Sequence, residues 1–272
     1  MNPLTVFYDD RISVSMAFDG SRNLVEIDEE EHVVYFDTPR LKKITGHRIG
    51  AIFGMSEFST PFKVACELAG LYPGDKSNKY IEAGNAIEPI LRKWTRAHIA
   101  EIAPKVGLTG AFGVEEPAPA EKCQYDHFHT NDMFGGMVDG YITADGRRSA
   151  ILEIKTASDR SKWDDGQGGF TKVPDSYMMQ ASLYAELSNL GKIVFVVGFL
   201  NEEDYRMPGK WVPTDENTCV VIKDREDMKP WMEKAAAWYK ELKSTYCTPE
   251  WTDADEEVVK YIRNLDKKNK KR

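Results

Sequence analysis

The chain has 272 residues, of which 42% are hydrophobic and 29% are charged, and its formal net charge is −8. This length is enough for one large domain or two small ones with a sizeable core. The acidic balance does not favour non-specific nucleic-acid binding, although a local basic groove would still permit it.

The sequence shows neither a membrane segment nor a metal-binding cysteine motif. No apolar stretch approaches the roughly 20 residues of a membrane span, and the N-terminus lacks the basic and apolar regions of a signal peptide. The four cysteines are far apart, which argues against a zinc ribbon and fits a reducing compartment. We therefore expect a cytoplasmic protein with no membrane partner.

Short apolar runs alternate with turns over residues 1–37. The runs at residues 12–18 and 23–27 flank an Asp-Gly turn signal, so they predict a β-hairpin, and residues 32–36 predict a third strand. We expect these strands to form an N-terminal β elaboration. Residues 38–272 are expected to form one domain with C-terminal helices and a short basic tail.

Basic side chains surround the predicted start of the first helix. Thr45 is its expected N-cap, Ile49, Ile52 and Phe53 its buried stripe, and Gly54 its end. Exposed amides, the positive end of the helix dipole and basic side chains together would bind a phosphate. A solvated basic helix start is the simpler interpretation. The basic candidates are Arg40, Lys42, Lys43, His47 and Arg48.

A longer helix is predicted over residues 80–103, with an apolar face that includes Ile87. Glu88 borders this face and is followed by Pro89, which removes a backbone hydrogen bond and is expected to kink the helix. A glutamate at the edge of a core needs a partner. Two partners are open: a metal ion, or Arg92 four residues on, which the helix alone favours.

Residues 104–135 are irregular and contain three side chains that can ligate zinc, namely Cys123, His127 and His129. The two histidines would share one face of a strand, but further ligands at a recognised zinc spacing are missing. We therefore expect a strand or loop with incidental histidines.

The stretch at residues 136–156 predicts a β-hairpin around an Asp-Gly turn signal. Asp139 lies seven residues before Gly146 and Glu153 seven after it, so a loop centred there places the two carboxylates opposite each other. Lys155 projects from the same face of the strand as Glu153, whereas Leu152 and Ile154 point to the other face, into a core. Facing acids repel unless something binds between them, and a divalent cation is the natural occupant. A solvated face with an exposed ion pair is the alternative.

Residues 157–173 predict a Gly-rich loop near this hairpin, followed by a helix over residues 175–190. Tyr177, Gln180 and Tyr184 share one face of the helix, where they either edge a core or orient a substrate or a catalytic lysine. The remaining predicted elements are a helix between Thr60 and Gly70, strands at 192–200 and 218–222, and helices at 228–242 and 255–265.

The order of these features resembles the PD-(D/E)xK nuclease core. More narrowly, the chain is similar to the family of lambda exonuclease and the YqaJ-like viral recombinases, relatives of the RecB nuclease domain. The resemblance covers about residues 40–200 and implies an α/β (α+β) fold with a central mixed sheet flanked by helices. It rests on five motifs in family order: Ile44-Thr-Gly-His-Arg-Ile49, Gly84-Asn-Ala-Ile-Glu88, Val138-Asp-Gly140, Leu152-Glu-Ile-Lys155 and Tyr177-Met-Met-Gln180.

The resemblance implies a metal site. Asp139, Glu153 and the Ile154 carbonyl would hold Mg²⁺, with Mn²⁺ as a substitute, and Glu88 would help to hold it or a second ion. Two ions are therefore expected.

The resemblance also implies roles for the surrounding side chains. Lys155 would position or activate the attacking water, and Gln180 would orient this machinery. His47 stands where a phosphate-contacting serine is frequent in the family, and Val138 replaces a proline that is not a ligand. The residues expected to bind DNA or its 5′-phosphate are Arg40, Thr45, His47, Arg48, Tyr177 and Tyr184.

These implications predict a Mg²⁺-dependent DNA exonuclease that works 5′→3′ on double-stranded ends and generates single strands for phage-type recombination. The implied partners are double-stranded DNA ends, a single-strand annealing protein and a homotrimeric ring, and a phage protein would work in its bacterial host's cytoplasm. Two alternatives stay open: a RecB-like endonuclease, and an inactive nuclease fold that serves as a DNA-binding or protein-interaction module. Converging acids argue against the last, because a binding module has no chemical need for them.

Overall fold

The computed structural model describes residues 5–8, 12–15, 25–38, 40–167 and 169–269. The strands are β1 (Thr5–Tyr8), β2 (Ile12–Ser15), β3 (Val25–Asp28), β4 (Val33–Phe36), β5 (Ile44–Thr45), β6 (Phe112–Glu115), β7 (Phe134–Gly135), β8 (Gly140–Ala144), β9 (Arg147–Ala157), β10 (Lys192–Phe199) and β11 (Thr218–Asp224). The α-helices are α1 (Gly46–Ile52), α2 (Pro61–Leu68), α3 (Lys79–Ala97), α4 (Ile99–Lys105), α5 (Asp175–Leu187), α6 (Glu202–Arg206), α7 (Lys229–Thr245) and α8 (Glu256–Asn269).

A five-stranded mixed sheet in the order β11-β10-β9-β8-β6 forms the centre of the molecule. β9 and β10 are parallel and are joined through α5, whereas the other neighbours are antiparallel. Parallel strands need a crossover of this kind, because a short hairpin turn can join only antiparallel neighbours. The predicted α/β class, with a mixed sheet between helices, is confirmed.

The central strand β9 separates two cores. Leu152 and Ile154 point to one face, where they pack with Ile87 and Leu91 of α3. Ile151 points to the opposite face, where it packs with Ala181 of α5. Because side chains alternate along a strand, Glu153 and Lys155 lie on the α5 face.

The hairpin of β8 and β9 contains a bulge that sets its register. Asp145 and Gly146 both have positive φ, as a two-residue type I′ turn requires. Ile142 pairs with Ala150 but Thr143 pairs with Arg148, so Ser149 of β9 has no pairing partner on β8 and forms a bulge. The ladder then ends at Gly140 and Leu152, which brings the next two residues, Asp139 and Glu153, opposite each other as predicted.

The N-terminal strands differ in part from the prediction. β3 pairs with β4, which confirms the predicted third strand. β2 pairs with β1 and not with β3, because the β-branched and aromatic run of β1 lies closer in the sequence. The turn predicted between residues 12–18 and 23–27 lies outside the described residues.

The predicted helix over residues 80–103 is two helices. α3 runs without interruption through Pro89, and the break falls at His98, whose N–H bonds to the carbonyls of Trp94 and Thr95. The helix predicted over residues 175–190 ends earlier, at Leu187, because Asn189 adopts a left-handed conformation before Gly191 is reached.

The segment predicted as irregular contains two strands and a set of turns. β6 adds an edge strand to the central sheet, and β7 pairs with β5. His127 and His129 do not share a strand face, because they follow a turn in which Gln124 and Tyr125 have positive φ. In the described part of the chain, no helix is both long and apolar enough to cross a membrane.

Candidate active site

Glu153 is a fully buried acid at the centre of the molecule, with 0% of its surface exposed. Its Oε1 accepts hydrogen bonds from Lys155 Nζ at 2.6 Å and from Gln180 Nε2 at 2.7 Å. Its Oε2 is buried and has no hydrogen-bond partner among the described residues. A buried carboxylate oxygen without a partner costs free energy, so this atom is a candidate ligand for a bound cation.

Asp139 is held beside Glu153 by the backbone of β9. Its Oδ2 accepts a hydrogen bond of 2.7 Å from the N–H of Ile154, where a β-ladder would place a carbonyl. Its own carbonyl accepts one of 2.8 Å from Arg92 Nε. Both ends of this residue are therefore fixed, one by the sheet and one by α3.

Glu88 projects from α3 towards the same region and pairs with Arg92, as the helix alone predicted. Arg92 also contacts Glu116, with 3.0 Å between Nη1 and Oε1. Among the described residues, no three His, Cys, Asp or Glu side chains are grouped closely enough to hold a metal ion. The three acids are turned instead to their neighbours: Glu88 to Arg92, Asp139 to the Ile154 N–H, and Glu153 to Lys155 and Gln180.

The site places several ionisable side chains in a buried environment, which shifts their pKa values. Burial raises the pKa of Glu153 and that of Asp139, while the charge of Lys155 opposes both shifts. Burial also raises the pKa of Glu88, and the negative charge of Asp139 adds to that shift. Although burial alone would lower the pKa of Lys155, the charges of Glu153 and Asp139 raise it, so the ammonium stays protonated.

Lys155 is confined between the acids and an aromatic wall. Its Nζ lies 4.9 Å from the centroid of the Tyr177 ring, and Tyr177 stacks on Trp163 with 5.9 Å between centroids. Trp163 is almost fully buried, so the loop predicted over residues 157–173 is anchored in the α5-side core. This stack limits the positions that the lysine can adopt.

The candidate phosphate-binding residues do not form one cationic cluster. Arg48 pairs with Glu67 at 3.0 Å, and Arg40 is exposed near Tyr239 of α7. Thr45 Oγ1 lies 3.1 Å from His47 Nδ1 and does not cap α1. The surrounding protein and the charges of Arg48 and Lys155 lower the pKa of His47 to about 4, so its ring is neutral at pH 7.

The two tyrosines of the predicted set occupy different environments. Tyr177 is half-buried beside Lys155. Tyr184 is buried, and burial together with the charges of Glu153 and Asp139 raises the pKa of its hydroxyl, although the N–H groups of Gly46 and Met137 hydrogen-bond to it and oppose the shift. Tyr184 therefore lies in the protein interior beneath the acids, whereas Tyr177 lies beside Lys155.

The available ligands suit a hard divalent cation. Two carboxylates and the Ile154 carbonyl offer only oxygen, which Mg²⁺ and Mn²⁺ prefer. The unpartnered Oε2 of Glu153 would gain a partner from such an ion. The donor set and this orphaned atom fit a metal of that class.

Sequence reasoning missed the contact of Arg92 with the Asp139 backbone. The sequence relates Arg92 only to Glu88, but in the structure Arg92 is 9% exposed and joins α3, the end of β6 and the start of β8. An arginine on the flank of a predicted apolar face was the available signal. No local sequence pattern indicates which strand end this side chain reaches.

The fold and the site together define a class of protein. A mixed sheet whose adjacent central strands bring two acids and a lysine together is the arrangement of PD-(D/E)xK nucleases. A family model described as the YqaJ-like viral recombinase domain matches residues 36–190, which is more than half of the chain. The chain therefore belongs to this family, and its membership supports a nuclease.

The chain is also similar to individual proteins. Two relatives are uncharacterized protein MG373 of Mycoplasma genitalium and its Mycoplasma pneumoniae homolog, which are 27% and 26% identical over 257 residues, with 80% of this chain and 87% of each relative covered. An alkaline exonuclease from Laribacter hongkongensis has 18% identity and a TM-score of 0.42, with 85% of this chain and 95% of that chain covered. A phage related exonuclease from Haemophilus somnus has 15% identity and a TM-score of 0.41, with coverages of 84% and 96%.

Proposed function

We propose that this protein is a divalent-metal-dependent DNA exonuclease that acts 5′→3′ on double-stranded ends. One observation carries the proposal: a fully buried Glu153 with an unpartnered oxygen, next to Lys155 and facing Asp139 across the hairpin. If Glu153 had only a structural role, an apolar residue would be favoured in its place, because burying a carboxylate oxygen that has no hydrogen-bond partner costs free energy.

The proposed metal ligands are Asp139, Glu153 and the Ile154 carbonyl, and Glu88 would join them or hold a second ion. When bound, Mg²⁺ would supply charge neutralisation at the phosphate and a water of lowered pKa. Glu88 would have to leave Arg92 to take part. Arg92 would keep its hold on the Asp139 carbonyl throughout, because that bond uses a different nitrogen.

Lys155 and Gln180 have separate proposed tasks. Because its pKa is raised, Lys155 stays an ammonium and would serve as a hydrogen-bond donor to the attacking water or the phosphate, and not as a base. Gln180 fixes the Glu153 carboxylate through a 2.7 Å hydrogen bond and would keep its free oxygen aimed at the metal. Tyr177 would keep the ammonium between the acids.

The proposed end recognition uses the start of α1. Burial, with the charges of Arg48 and Lys155, lowers the pKa of His47, whose ring lies next to Thr45 at the start of α1. Being neutral, His47 would donate a single hydrogen bond to a terminal phosphate, and the charge would come from Arg40 or Arg48. Arg48 would first have to exchange its Glu67 partner.

The substrate proposal is tested with three DNA molecules: a linear duplex with 5′-phosphates, the same duplex without them, and a covalently closed circle. We expect Mg²⁺-dependent release of nucleotides from the linear molecules, faster with the 5′-phosphate, and no cutting of the circle. A cut circle would contradict the exonuclease and support an endonuclease. Absence of cutting on all three molecules would support a binding module.

The family resemblance also motivates proposals on partners. A ring-shaped trimer would retain DNA through successive cuts, and an annealing protein would receive the single strand. A native mass measurement tests the trimer directly, and a mass equal to one chain at working concentration would contradict it.

A further inference from the structure

The segment that leads into Asp139 is not held by a β-ladder. β7 ends at Gly135 and β8 begins at Gly140, so residues 136–138 cross between the two strands. The first and third N–H groups nevertheless donate to side chains, and the Tyr184 hydroxyl lies against the segment between them. Backbone N–H groups in proteins are more often paired with other backbone groups or with water.

The three polar atoms come from different side chains. Asp126 Oδ1 accepts from the N–H of Gly136 at 3.0 Å. The Tyr184 hydroxyl lies against the same segment: a Cβ at Gly136 would be 2.6 Å from it, and the Met137 backbone opposes the rise in its pKa. His127 Nδ1 accepts from the N–H of Val138 at 3.1 Å.

The acceptors are themselves fixed in place. Asp126 forms an ion pair of 2.7 Å with Lys43, and His127 Nε2 lies 2.9 Å from the carbonyl of Ala118. Since Nδ1 accepts from a backbone N–H, the ring proton is on Nε2 and is donated to that carbonyl. Both ring nitrogens are thus engaged, so His127 is neither incidental nor available as a metal ligand.

The Tyr184 ring fits between two glycines. A Cβ atom at Gly46 or at Gly136 would lie 2.6 Å from carbon atoms of this ring. Gly136 has φ of 136°, a conformation that side chains rarely allow. The close approach of both backbones lets one hydroxyl join α1 to the segment before Asp139.

We propose that Asp126, His127 and Tyr184 form a positioning clamp on residues 136–138 that fixes the direction in which the Asp139 carboxylate points. The inference rests on the proposed function, in which Asp139 is a metal ligand. It assigns a role to His127, which sequence reasoning set aside, and replaces the DNA-binding role predicted for Tyr184 with a supporting one. The clamp residues touch neither the metal nor the substrate.

Three substitutions and one control test the clamp. His127→Ala removes the acceptor, His127→Asn restores an acceptor near the Nδ1 position, and Tyr184→Phe removes only a hydroxyl. His129→Ala is the matched control, because His129 is exposed and lies two residues from His127. The measurements are amide hydrogen exchange at residues 136–139, Mn²⁺ affinity by calorimetry and the melting temperature.

We expect faster exchange at Val138 in His127→Ala and at Met137 in Tyr184→Phe, with Mn²⁺ affinity lower by roughly ten- to a hundred-fold in both. His127→Asn should recover most of both properties, and His129→Ala should match the wild type. A general loss of packing would instead lower the melting temperature and speed exchange throughout the sheet, without rescue by Asn.

The clamp is contradicted if residues 137 and 138 exchange equally slowly in the wild type, His127→Ala and Tyr184→Phe. It is also contradicted if His127→Asn and His127→Ala behave alike in exchange. Failure of the proposed function gives a different result, since a wild type that binds no Mn²⁺ would contradict the metal site while the exchange data still decide the clamp.

Discussion

At the scale of single residues, the site is organised by the burial of Glu153. An isolated buried carboxylate is unfavourable, so its neighbours must offset the cost. Lys155 and Gln180 satisfy one oxygen, and the other is left without a partner. The carboxylate is therefore held in place through one oxygen, and the other oxygen remains free to bind a cation.

The raised pKa of Glu153 predicts a pH-dependent metal affinity. Burial raises this pKa to about 8, so below that pH a bound proton competes with the metal. Mn²⁺ affinity should therefore climb by about ten-fold per pH unit from pH 6 and level off above pH 8. Calorimetry over this range measures the trend, and an affinity that is constant from pH 6 to pH 9 would contradict it.

Gly46→Ala tests the close packing beneath the site. The added Cβ would lie 2.6 Å from Tyr184 Cζ and 2.7 Å from Gln180 Cγ, so one of these side chains has to move. We expect a loss of about 1–3 kcal/mol in the free energy of unfolding, together with weaker Mn²⁺ binding. Urea denaturation measures the first effect. The control is Gly191→Ala, which meets no atom within 4 Å, and equal stability of the two variants would contradict this account.

At the scale of elements, the hairpin of β8 and β9 determines whether the acids meet. A shift of one residue turns every side chain of a strand to its other face. The turn is centred between Asp145 and Gly146, which by itself would place Asp139 opposite Leu152. The extra residue Ser149 offsets the strand by one and brings Glu153 opposite Asp139.

Deletion of Ser149 should therefore leave the two acids paired. Without the extra residue, a regular ladder from the turn still places Glu153 opposite Asp139 and keeps Lys155 on the same face, so Mn²⁺ binding should be retained. Ser149→Ala, which keeps the residue count and the bulge, is the comparison. A deletion variant that binds Mn²⁺ far more weakly than Ser149→Ala would contradict this register.

The pairing of the two acids could be predicted from the sequence, but the bulge that produces this pairing could not. Counting outward from Gly146 gave the correct pairing of Asp139 with Glu153, but only because the bulge compensates for a turn centred half a residue earlier. The periodicity of polar and apolar residues located the central strands and α5. It could not reveal Ser149 as a bulge, because a bulge leaves no compositional mark.

Long-range contacts account for most of what was missed. β6 is a short run with a glycine, so its strand character depends on its neighbour β8. The side chains of Asp126 and His127 act on residues about ten positions further along the chain, across an irregular segment. No local pattern encodes such a contact. The break at His98 likewise depends on its contacts with Trp94.

At the scale of the whole molecule, the central sheet is supported by a further helical core. α1, α2, α7 and α8 pack together there with buried side chains of β4, including Val34 and Phe36. The N–H of Phe36 bonds to the carbonyl of Tyr246, and their rings meet edge to face at 6.1 Å. The strand predicted to end an N-terminal elaboration is thus packed into the same core as the C-terminal helices.

Phe36→Ala should destabilise the whole protein. Removal of a buried Phe leaves a cavity that costs about 3–5 kcal/mol. The matched control is Phe58→Ala, because Phe58 is 72% exposed and its loss should change the free energy of unfolding by less than about 0.5 kcal/mol. Urea denaturation compares the two variants. Equal stability would mean that β4 does not belong to the core of the domain.

The most direct test of the central claim measures nucleotide release from a linear DNA duplex by the wild type, Glu153→Gln and Glu250→Gln. Glu250 is an exposed glutamate away from the site, so the two variants carry the same chemical change. We predict Mg²⁺-dependent release by the wild type and Glu250→Gln, and a loss of at least about a thousand-fold in Glu153→Gln, which keeps the shape but removes the charged ligand. Release by Glu153→Gln at the rate of Glu250→Gln, or release that continues when Mg²⁺ is chelated, would contradict a metal-dependent nuclease centre at Glu153.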